Sequence, residues 1–238
     1  MLLSVVIPAF DEERCLPGTL EHLKDAAACC EWPVEIIVVD NQSSDRTAQV
    51  ARAHGASVIA ETIHNVARVR NAGARHAKGE VLVFLDADTE VPRHFLSRVA
   101  QVMADPKCWG GAADVLHAPA SRFLRLYLGA WRVLGKTLHM AQGAAQFCRR
   151  TEFDRLGGYD ESRFMGEDVD FYWRLRKAAA KNGAHVRFLD DVRVVPSPRR
   201  FNQWPLWRTL VYTNPLFIAI FRKRARAWQG WYIRAPRS

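Results

Sequence analysis

Residues 81–92 read VLVFLDADTEVP: five apolar residues run directly into Asp86-Ala87-Asp88. Two carboxylates one residue apart offer hard oxygen ligands, the kind that suits Mg²⁺ or Mn²⁺. If the chain is still extended there, alternation places both on one side. A competing reading makes one aspartate a turn or cap residue ahead of the helix expected from about Pro92. The preceding run, Val81–Leu85, is continuous rather than alternating, which predicts a central strand covered on both faces. Ligands of open α/β sheets bind in the crevice outside the carboxyl ends of such strands.

Two earlier segments repeat this arrangement. Leu3–Ile7 reads as a first strand ending in PAFDEE, and Val34–Val39 as a second ending in VVDNQSSD. Carboxylates at three strand ends suit a nucleotide, whose ribose hydroxyls and base N–H groups they can accept. No GxGxxG follows the first strand and no GxxxxGK[ST] occurs, which argues against a dinucleotide dehydrogenase and a P-loop NTPase. A nucleotidyltransferase is disfavoured because PAFDEE stands where its Gly-rich, basic first loop would be.

The elements that must position these groups alternate. Helices are expected over 17–28, 44–54 (capped by Ser44 or Asp45 and stopped by Gly55) and 66–77, with a short strand over 57–60. That alternation implies a parallel sheet with right-handed crossovers. Beyond residue 90 the pattern changes. Helices are expected over 93–104, 151–156 and 169–181, and strands over 109–115, 144–148 and 186–195, with an amphipathic helix before 144.

Taken together and in order, PAFDEE, VVDNQSSDRT, RNAGARHAKGEVLVFLDAD, GGYDE and GEDVDFYWRLRKAAAKNG resemble the family 2 glycosyltransferases over roughly residues 3–190. The resemblance implies a GT-A type α/β fold: a Rossmann-like mixed sheet, largely parallel, flanked by helices. It implies a nucleotide-sugar donor, Mn²⁺ or Mg²⁺, and inversion at the anomeric carbon. By the same resemblance Pro8, Phe10 and Glu12 form the first nucleotide-binding turn and Asp40 reads the base. Arg70 and Asn71 lie in the segment that closes over the nucleotide. Asp86 contacts ribose or metal, Asp88 is the main metal ligand, Asp168 is the catalytic base, and Glu167 orients the acceptor or the base. The base assignment agrees with the chemistry, since an attacking hydroxyl must lose its proton. The alternative for Glu167-Asp168 is an acidic first turn favoured by the helix dipole.

The sequence departs from the family pattern at Asp11 and Asn41. More consequentially, the segment after the last strand reads VVPSPRRF, without the histidine that many members use to hold metal or diphosphate. Arg199 and Arg200 can bind phosphate oxygens there; the alternative is a solvated basic loop.

Charge is unevenly placed. No acidic residue follows Asp191, and residues 192–238 carry ten of the 34 basic residues, leaving 24 basic against 25 acidic residues before them. This segment also holds Trp204, Trp207, Trp228 and Trp231, half of the eight tryptophans, around the broken apolar run LVYTNPLFIAIF. That mixture suits an anionic membrane surface, with an oligomer contact as the competitor; nucleic acid does not explain the apolar run. In SRFLRLYLGAWRVLGKTLHM, 121–140, Arg122, Arg125, Arg132, Lys136 and His139 form a basic stripe beside a wide apolar face. This is either a core helix with a solvated edge or an interfacial helix.

The expected organisation is therefore a glycosyltransferase domain over 1–195 (nucleotide half 1–90, acceptor half 91–195) and a basic, Trp-rich extension over 196–238. No stretch reaches the roughly 18 apolar residues of a membrane span. The N-terminus reads as a strand rather than a signal peptide. Five cysteines without metal spacing suggest reduced thiols. A cytoplasmic location follows, with a lipid-linked or membrane-located acceptor as an extension of that reading. The competing function is a nucleotide-sugar-binding or membrane adaptor without catalysis.

Overall fold

The computed structural model describes residues 1–141 and 143–232. Its elements run β1 (Leu3–Ala9), α1 (Leu16–Ala28), β2 (Val34–Asp40), α2 (Thr47–Ala53), β3 (Ser57–Ala60), α3 (Val66–His76), β4 (Val81–Leu85) and β5 (Thr89–Glu90). There follow α4 (Phe95–Met103), β6 (Cys108–Val115), α5 (Arg122–Thr137), β7 (Ala145–Arg149), α6 (Arg150–Arg155), α7 (Glu167–Lys181) and β8 (His185–Pro196). Four short helices complete the described chain: α8 (Arg199–Gln203), α9 (Leu206–Tyr212), α10 (Pro215–Phe221) and α11 (Ala225–Tyr232).

The sheet order is β3-β2-β1-β4-β7-β6-β8-β5. Strands β3, β2, β1 and β4 are parallel, β7 runs antiparallel between β4 and β6, and β6 and β8 are again parallel. The alternating first half thus builds a nucleotide-type sheet, and the reversal at β7 makes the whole sheet mixed.

Alternation explains why β4 reads as an unbroken apolar run and β1 as one interrupted by Ser4. Val5, Ile7, Val81, Val83 and Leu85 join one core with residues of α1 and α4. Val6, Leu82 and Phe84 point the other way, into a core with α3, α6 and α7 residues such as Val69, Phe153 and Phe171. Each face has its own helical layer, so neither phase of the strand can be polar.

Most boundaries shift by one or two residues from the sequence expectation; two of the shifts, and one strand the sequence does not indicate, bear on the site. Helix α2 begins at Thr47: the Ser44 amide bonds Asp11 of the facing loop, while Asp45 bonds that loop through Oδ2 and accepts the Thr47 amide at the helix start through Oδ1. Helix α7 begins at Glu167 rather than 169, so both carboxylates of the Glu167-Asp168 pair lie inside its first turn. Strand β5, too short to show any period, pairs Thr89 with Pro196 and Glu90 with Val195. Residues 233–238 of the expected extension, and the side chain of Trp231, lie outside the described residues.

Strand β6 carries Gly110 and Gly111 between β7 and β8. A Cβ on Gly111 would collide with the carbonyl oxygen of Arg187 and with the ring of Phe147, neither of which can retreat without moving the sheet. Overpacking of this kind costs about 1–3 kcal/mol. Gly111→Ala is therefore expected to lower the melting temperature by roughly 2–12 °C, at about 2–4 °C per kcal/mol for a chain of this size. Gly18→Ala in α1, where an added Cβ meets nothing within 4 Å, serves as the control and is expected to hold or raise it. Differential scanning calorimetry on the pair checks this.

Candidate active site

The carboxyl ends of β1, β2 and β4 open onto one cavity of about 1260 Å³. The first wall is the turn after β1. Asp11 sits at φ 53° and its Oδ1 accepts the Ser44 amide at 2.7 Å, while the Asp11 amide donates to Ser43 Oγ at 3.0 Å. The Glu12 amide donates to Thr47 Oγ1 (2.8 Å) and that of Glu13 to Asp45 Oδ2 (3.2 Å). Much of the acidity at these two strand ends therefore joins the loops to each other. Pro8, Phe10 and Glu12 remain on the cavity wall.

Asp40 ends β2 beside the cavity. Its Oδ1 accepts the Ser43 amide at 3.2 Å, and the cavity wall here is its neighbour Asn41. The Asn41 side-chain nitrogen donates to the carbonyls of Glu61 (2.7 Å) and Ile63 (3.0 Å), and its Oδ1 lies 3.2 Å from His64 Nδ1. His64 packs edge-on against Phe10 with ring centroids 4.8 Å apart. Asn71 also stands off the cavity. It donates to the Tyr159 carbonyl (2.9 Å) and Glu161 Oε1 (3.0 Å) and accepts the Tyr159 amide (2.9 Å), tying α3 to the Gly157-Gly158-Tyr159 loop. Nothing in the sequence separates Asn71 from Arg70 beforehand, although the two end up with unlike tasks.

Arg70 is buried on α3 and joins the two halves of the site. Its guanidinium donates to Asp86 Oδ1 at 2.8 Å and to Glu167 Oε1 at 2.7 Å. Gly143 lies flat against it; a Cβ there would press on Arg70 Nη2 at 2.6 Å. Burial pushes the Glu167 carboxyl upward, with Asp168 adding to the rise and Arg70 opposing it.

Asp168 is placed next to this pair. Its Oδ2 accepts the Gly143 amide at 2.6 Å and its Oδ1 the Val169 amide at 2.7 Å, while Gln146 donates to its carbonyl at 3.1 Å. Among the described residues it has no ion-pair partner within 4 Å. By contrast Asp170 is held by Arg163 (2.7 Å) and Arg174 (2.8 Å). Burial raises the Asp168 pKa against the pull of Arg70 and the two amides. Of the three acids in this helical turn, Asp168 faces the cavity without a cation on it, which is what a proton acceptor requires.

The Asp86–Asp88 stretch is not extended. The chain turns at Ala87 and Asp88, and Thr89 N returns to Asp86 O at 3.3 Å, so the two carboxylates do not share a side through strand alternation. Both nevertheless line the cavity. Asp88 faces Arg199, whose Nη2 is 3.4 Å from Asp88 Oδ2 and also hydrogen-bonds Glu12 Oε1. Ser197 N donates to Asp88 O at 2.8 Å, pinning the start of the C-terminal extension beside the turn. Arg200 lines the same wall, its guanidinium carbon 5.6 Å from the Trp204 ring centroid. Burial raises the Asp88 carboxyl, and Asp86 adds to the rise.

The fit to a divalent cation is specific in kind. Asp86 has one oxygen on Arg70, Asp88 has Arg199 nearby, and no group of three His, Cys, Asp or Glu among the described residues could close a metal site. Two such carboxylates fit a cation that arrives on phosphate oxygens and keeps waters, the habit of Mg²⁺.

The C-terminal extension completes the enclosure. Tyr212, Ile218 and Arg222 line the cavity opposite the strand ends, with Leu128 and Trp131 of α5 beside them. Tyr127 Oη lies 2.9 Å from Thr213 Oγ1, and Phe164 N donates to Arg222 O at 2.7 Å. The basic stripe expected along α5 is partly internal: Arg132 (2.7 Å) and Lys136 (3.2 Å) both pair with Asp114, a buried residue of β6, and so anchor the helix on the sheet. The expected Trp cluster is corrected too. Trp228 is buried, its Nε1 donating to Phe221 O at 2.9 Å, and Trp204 is buried against Arg208 and Tyr212. Trp207 is 66% exposed.

This sheet order, with an acidic crevice at the parallel strand ends, is the GT-A fold. A mannosyltransferase from Pyrobaculum calidifontis, solved with GDP-Man and Mn²⁺, superposes with a TM-score of 0.65 at 23% identity, covering 87% of this chain and 59% of that one. S. aureus TarS, solved with UDP-GlcNAc, gives 0.60 at 17% identity over 83% of this chain and 59% of that one. Residues 4–156 match the family model described as glycosyl transferase family 2, and the chain belongs to that family. A 4,4'-diaponeurosporenoate glycosyltransferase of Staphylococcus haemolyticus is 36% identical over 110 residues, 43% of this chain and 28% of the relative. An undecaprenyl-phosphate 4-deoxy-4-formamido-L-arabinose transferase of Serratia proteamaculans is 34% identical over 107 residues, 42% of this chain and 33% of the relative. The match thus spans about a third of these relatives' length.

Glu12 provides a test of the electrostatics. Burial raises its pKa from 4.5 to about 7, with Arg199 opposing and Asp88 assisting. A carboxyl whose folded pKa lies above its unfolded value stabilises the fold below the unfolded value, and that contribution is lost as pH rises through the folded value. Without added divalent cations, Glu12→Gln is expected to match the wild type near pH 5 and to gain stability over it toward pH 8. Chemical denaturation across that range checks this; parallel curves would place the Glu12 pKa near its ordinary value.

Proposed function

We propose that the protein is a metal-dependent, inverting glycosyltransferase that moves a sugar from a nucleoside-diphosphate sugar to an acceptor hydroxyl or phosphate. The observation that carries this reading is the placement of Asp88 and Asp168 on one cavity, linked through the Asp86–Arg70–Glu167 bridge. On this reading Pro8, Phe10 and Glu12 hold the nucleotide, with Asn41 and His64 completing that wall. Asp168 removes the acceptor proton as the acceptor oxygen attacks the anomeric carbon. The bond from that carbon to the diphosphate breaks on the opposite face, inverting the centre. Glu167, fixed by Arg70, orients Asp168 and the acceptor. Asp88, with Asp86, would hold Mn²⁺ or Mg²⁺, whose Lewis acidity neutralises the leaving diphosphate. Residues 1–90 then form the donor half, 91–195 the acceptor half, and 196–238 an extension that serves both.

Asp168→Asn keeps the shape and removes the proton acceptor. Transfer is expected to fall at least ~100-fold with donor affinity nearly unchanged. UDP-GlcNAc and GDP-Man, the donors bound in the structural relatives, are the first probes. Transfer within a few-fold of wild type would remove Asp168 from the mechanism.

For the acceptor, we infer a lipid-linked substrate and peripheral attachment to the cytoplasmic membrane face. Phe123, Leu126 and Val133 of α5, and Trp207, Leu216 and Ile220 of α9 and α10, are exposed large apolar residues on elements that also wall the cavity. Basic residues and no acidic ones accompany the α9–α11 part. Relatives named for polyprenyl-phosphate and carotenoid-derived acceptors support the same direction. Among the described residues no helix is long and apolar enough to cross a membrane. The protein is expected to co-sediment with phosphatidylglycerol vesicles, less so as salt rises, and the triple variant Trp207→Ser, Leu216→Ser, Ile220→Ser to lose most of that binding. Absence of vesicle binding, together with a dimer in solution that the triple variant disrupts, would make this face a subunit contact.

A further inference from the structure

A nucleoside diphosphate entering this crevice meets Glu12, Asp86 and Asp88, all of its own sign. Asp86 is balanced by Arg70 from beneath. Glu12 and Asp88 share a different cation, Arg199, which is brought there from the far end of the chain. Arg199 is itself mostly buried, and its Nη1 reaches Cys15 Sγ at 3.3 Å, so the guanidinium is held at three points around the mouth of the first strand. Its backbone is fixed as well: it opens α8 after the N-cap Pro198, two residues beyond Ser197, whose amide is on the Asp88 carbonyl. The second oxygen of Glu12, Oε2, is buried with no hydrogen-bond partner among the described residues, which is the mark of a site built around something further.

A guanidinium carries five N–H donors, more than Glu12 and Cys15 accept, and its fork matches phosphate oxygens. It cannot be deprotonated at working pH. A divalent cation approaching Asp88 before the donor would meet Arg199 already beside that carboxylate, and repulsion between the two cations disfavours its entry. The same cation arriving on a diphosphate brings negative charge that relieves the repulsion.

We propose that Arg199 is the resident cation of the donor site, binding the diphosphate directly so that a nucleoside diphosphate is held without any divalent metal. Arg199 keeps Glu12 and Asp88 paired when the site is empty and turns its remaining donors to the phosphates when it is filled. The metal at Asp88 is then needed for the leaving group, not for holding the nucleotide. This rests on the donor reading above.

The test is isothermal titration calorimetry of the full chain with UDP and with GDP, in EDTA and in Mn²⁺. The wild type is expected to bind at least one of them in EDTA within about tenfold of its affinity in Mn²⁺. Arg199→Met is expected to lose about 10- to 100-fold in EDTA, the size of one or two charge-assisted hydrogen bonds, and to recover most of it in Mn²⁺. Arg199→Lys, which keeps the charge, is expected to fall between them and guards against a folding defect, with circular dichroism melts on all variants. Asp88→Ala is expected to behave in the opposite sense, binding in EDTA and gaining nothing from Mn²⁺. Without nucleotide, electron paramagnetic resonance of free Mn²⁺ is expected to show tighter binding by Arg199→Met than by the wild type. Wild-type binding that appears only with Mn²⁺, or an Arg199→Met variant equal to wild type in EDTA, overturns the proposal while leaving the donor reading intact. Binding of neither nucleotide under any condition overturns both.

Discussion

The site depends on one buried guanidinium. Arg70 lies inside the protein with Asp86 on one side and Glu167 on the other, residues separated from it by 16 and 97 positions. Taking the charges of Arg70 and Glu167 out of water is costly, and the cost is tolerable only while the two remain together; Asp86 is still partly in solvent. Losing the arginine would leave Glu167 buried and uncompensated, a penalty of roughly 3–5 kcal/mol for a broken buried pair. The same bond network that secures the fold therefore fixes the distance between the carboxyl end of β4 and the first turn of α7. The glycine at 143 is part of this arrangement, since only a residue without a side chain lets the backbone lie on the guanidinium and still present its amide to Asp168.

A second clamp works from the other end. The chain leaves β8, pins Ser197 to the carbonyl of Asp88, and delivers Arg199 against Glu12. It then wraps through α9, α10 and α11 so that Tyr212 and Ile218 face the cavity while Trp228 is sealed beneath. The extension is thus a wall of the site as well as a basic surface. Its packing needs explain two of its tryptophans: the buried indoles of Trp204 and Trp228 pack at a tilt against the Tyr212 ring. The exposed apolar residues lie on neighbouring turns of the same helices, so the extension has an inner face made by packing and an outer face that packing does not account for.

The strand-helix alternation through residue 90 was legible because hydrophobic period is a local property. The runs in β1, β2 and β4 are long enough to exclude a solvated face, and β3 and β4 begin and end at the residues the pattern indicated. The motifs around Asp88 and Asp168 were legible in the same way, as residue types at fixed spacing. What the pattern could not separate was the division of labour among like residues. Asp40, Asp45 and Glu13 look as available for a nucleotide as Glu12, yet Asp45 and Glu13 accept backbone amides from the facing loop and Asp40 accepts one from its own. Arg132 and Lys136 read as a solvated stripe because period reports an angle around a helix, not which buried acid waits beneath it. That acid, Asp114, lies on a strand 18 residues from Arg132, in a different element.

By itself the sequence determined the class of fold, the family, and the segments from which the site is made, since these follow from local period and from motifs read along the chain. Only the tertiary structure decided which acid escapes an ion pair, which arginine is buried, and that the C-terminal extension lines the cavity. The physical reason is that charge pairing and burial are long-range: Arg199 meets Glu12 across 187 positions, and no local pattern at either end encodes the other.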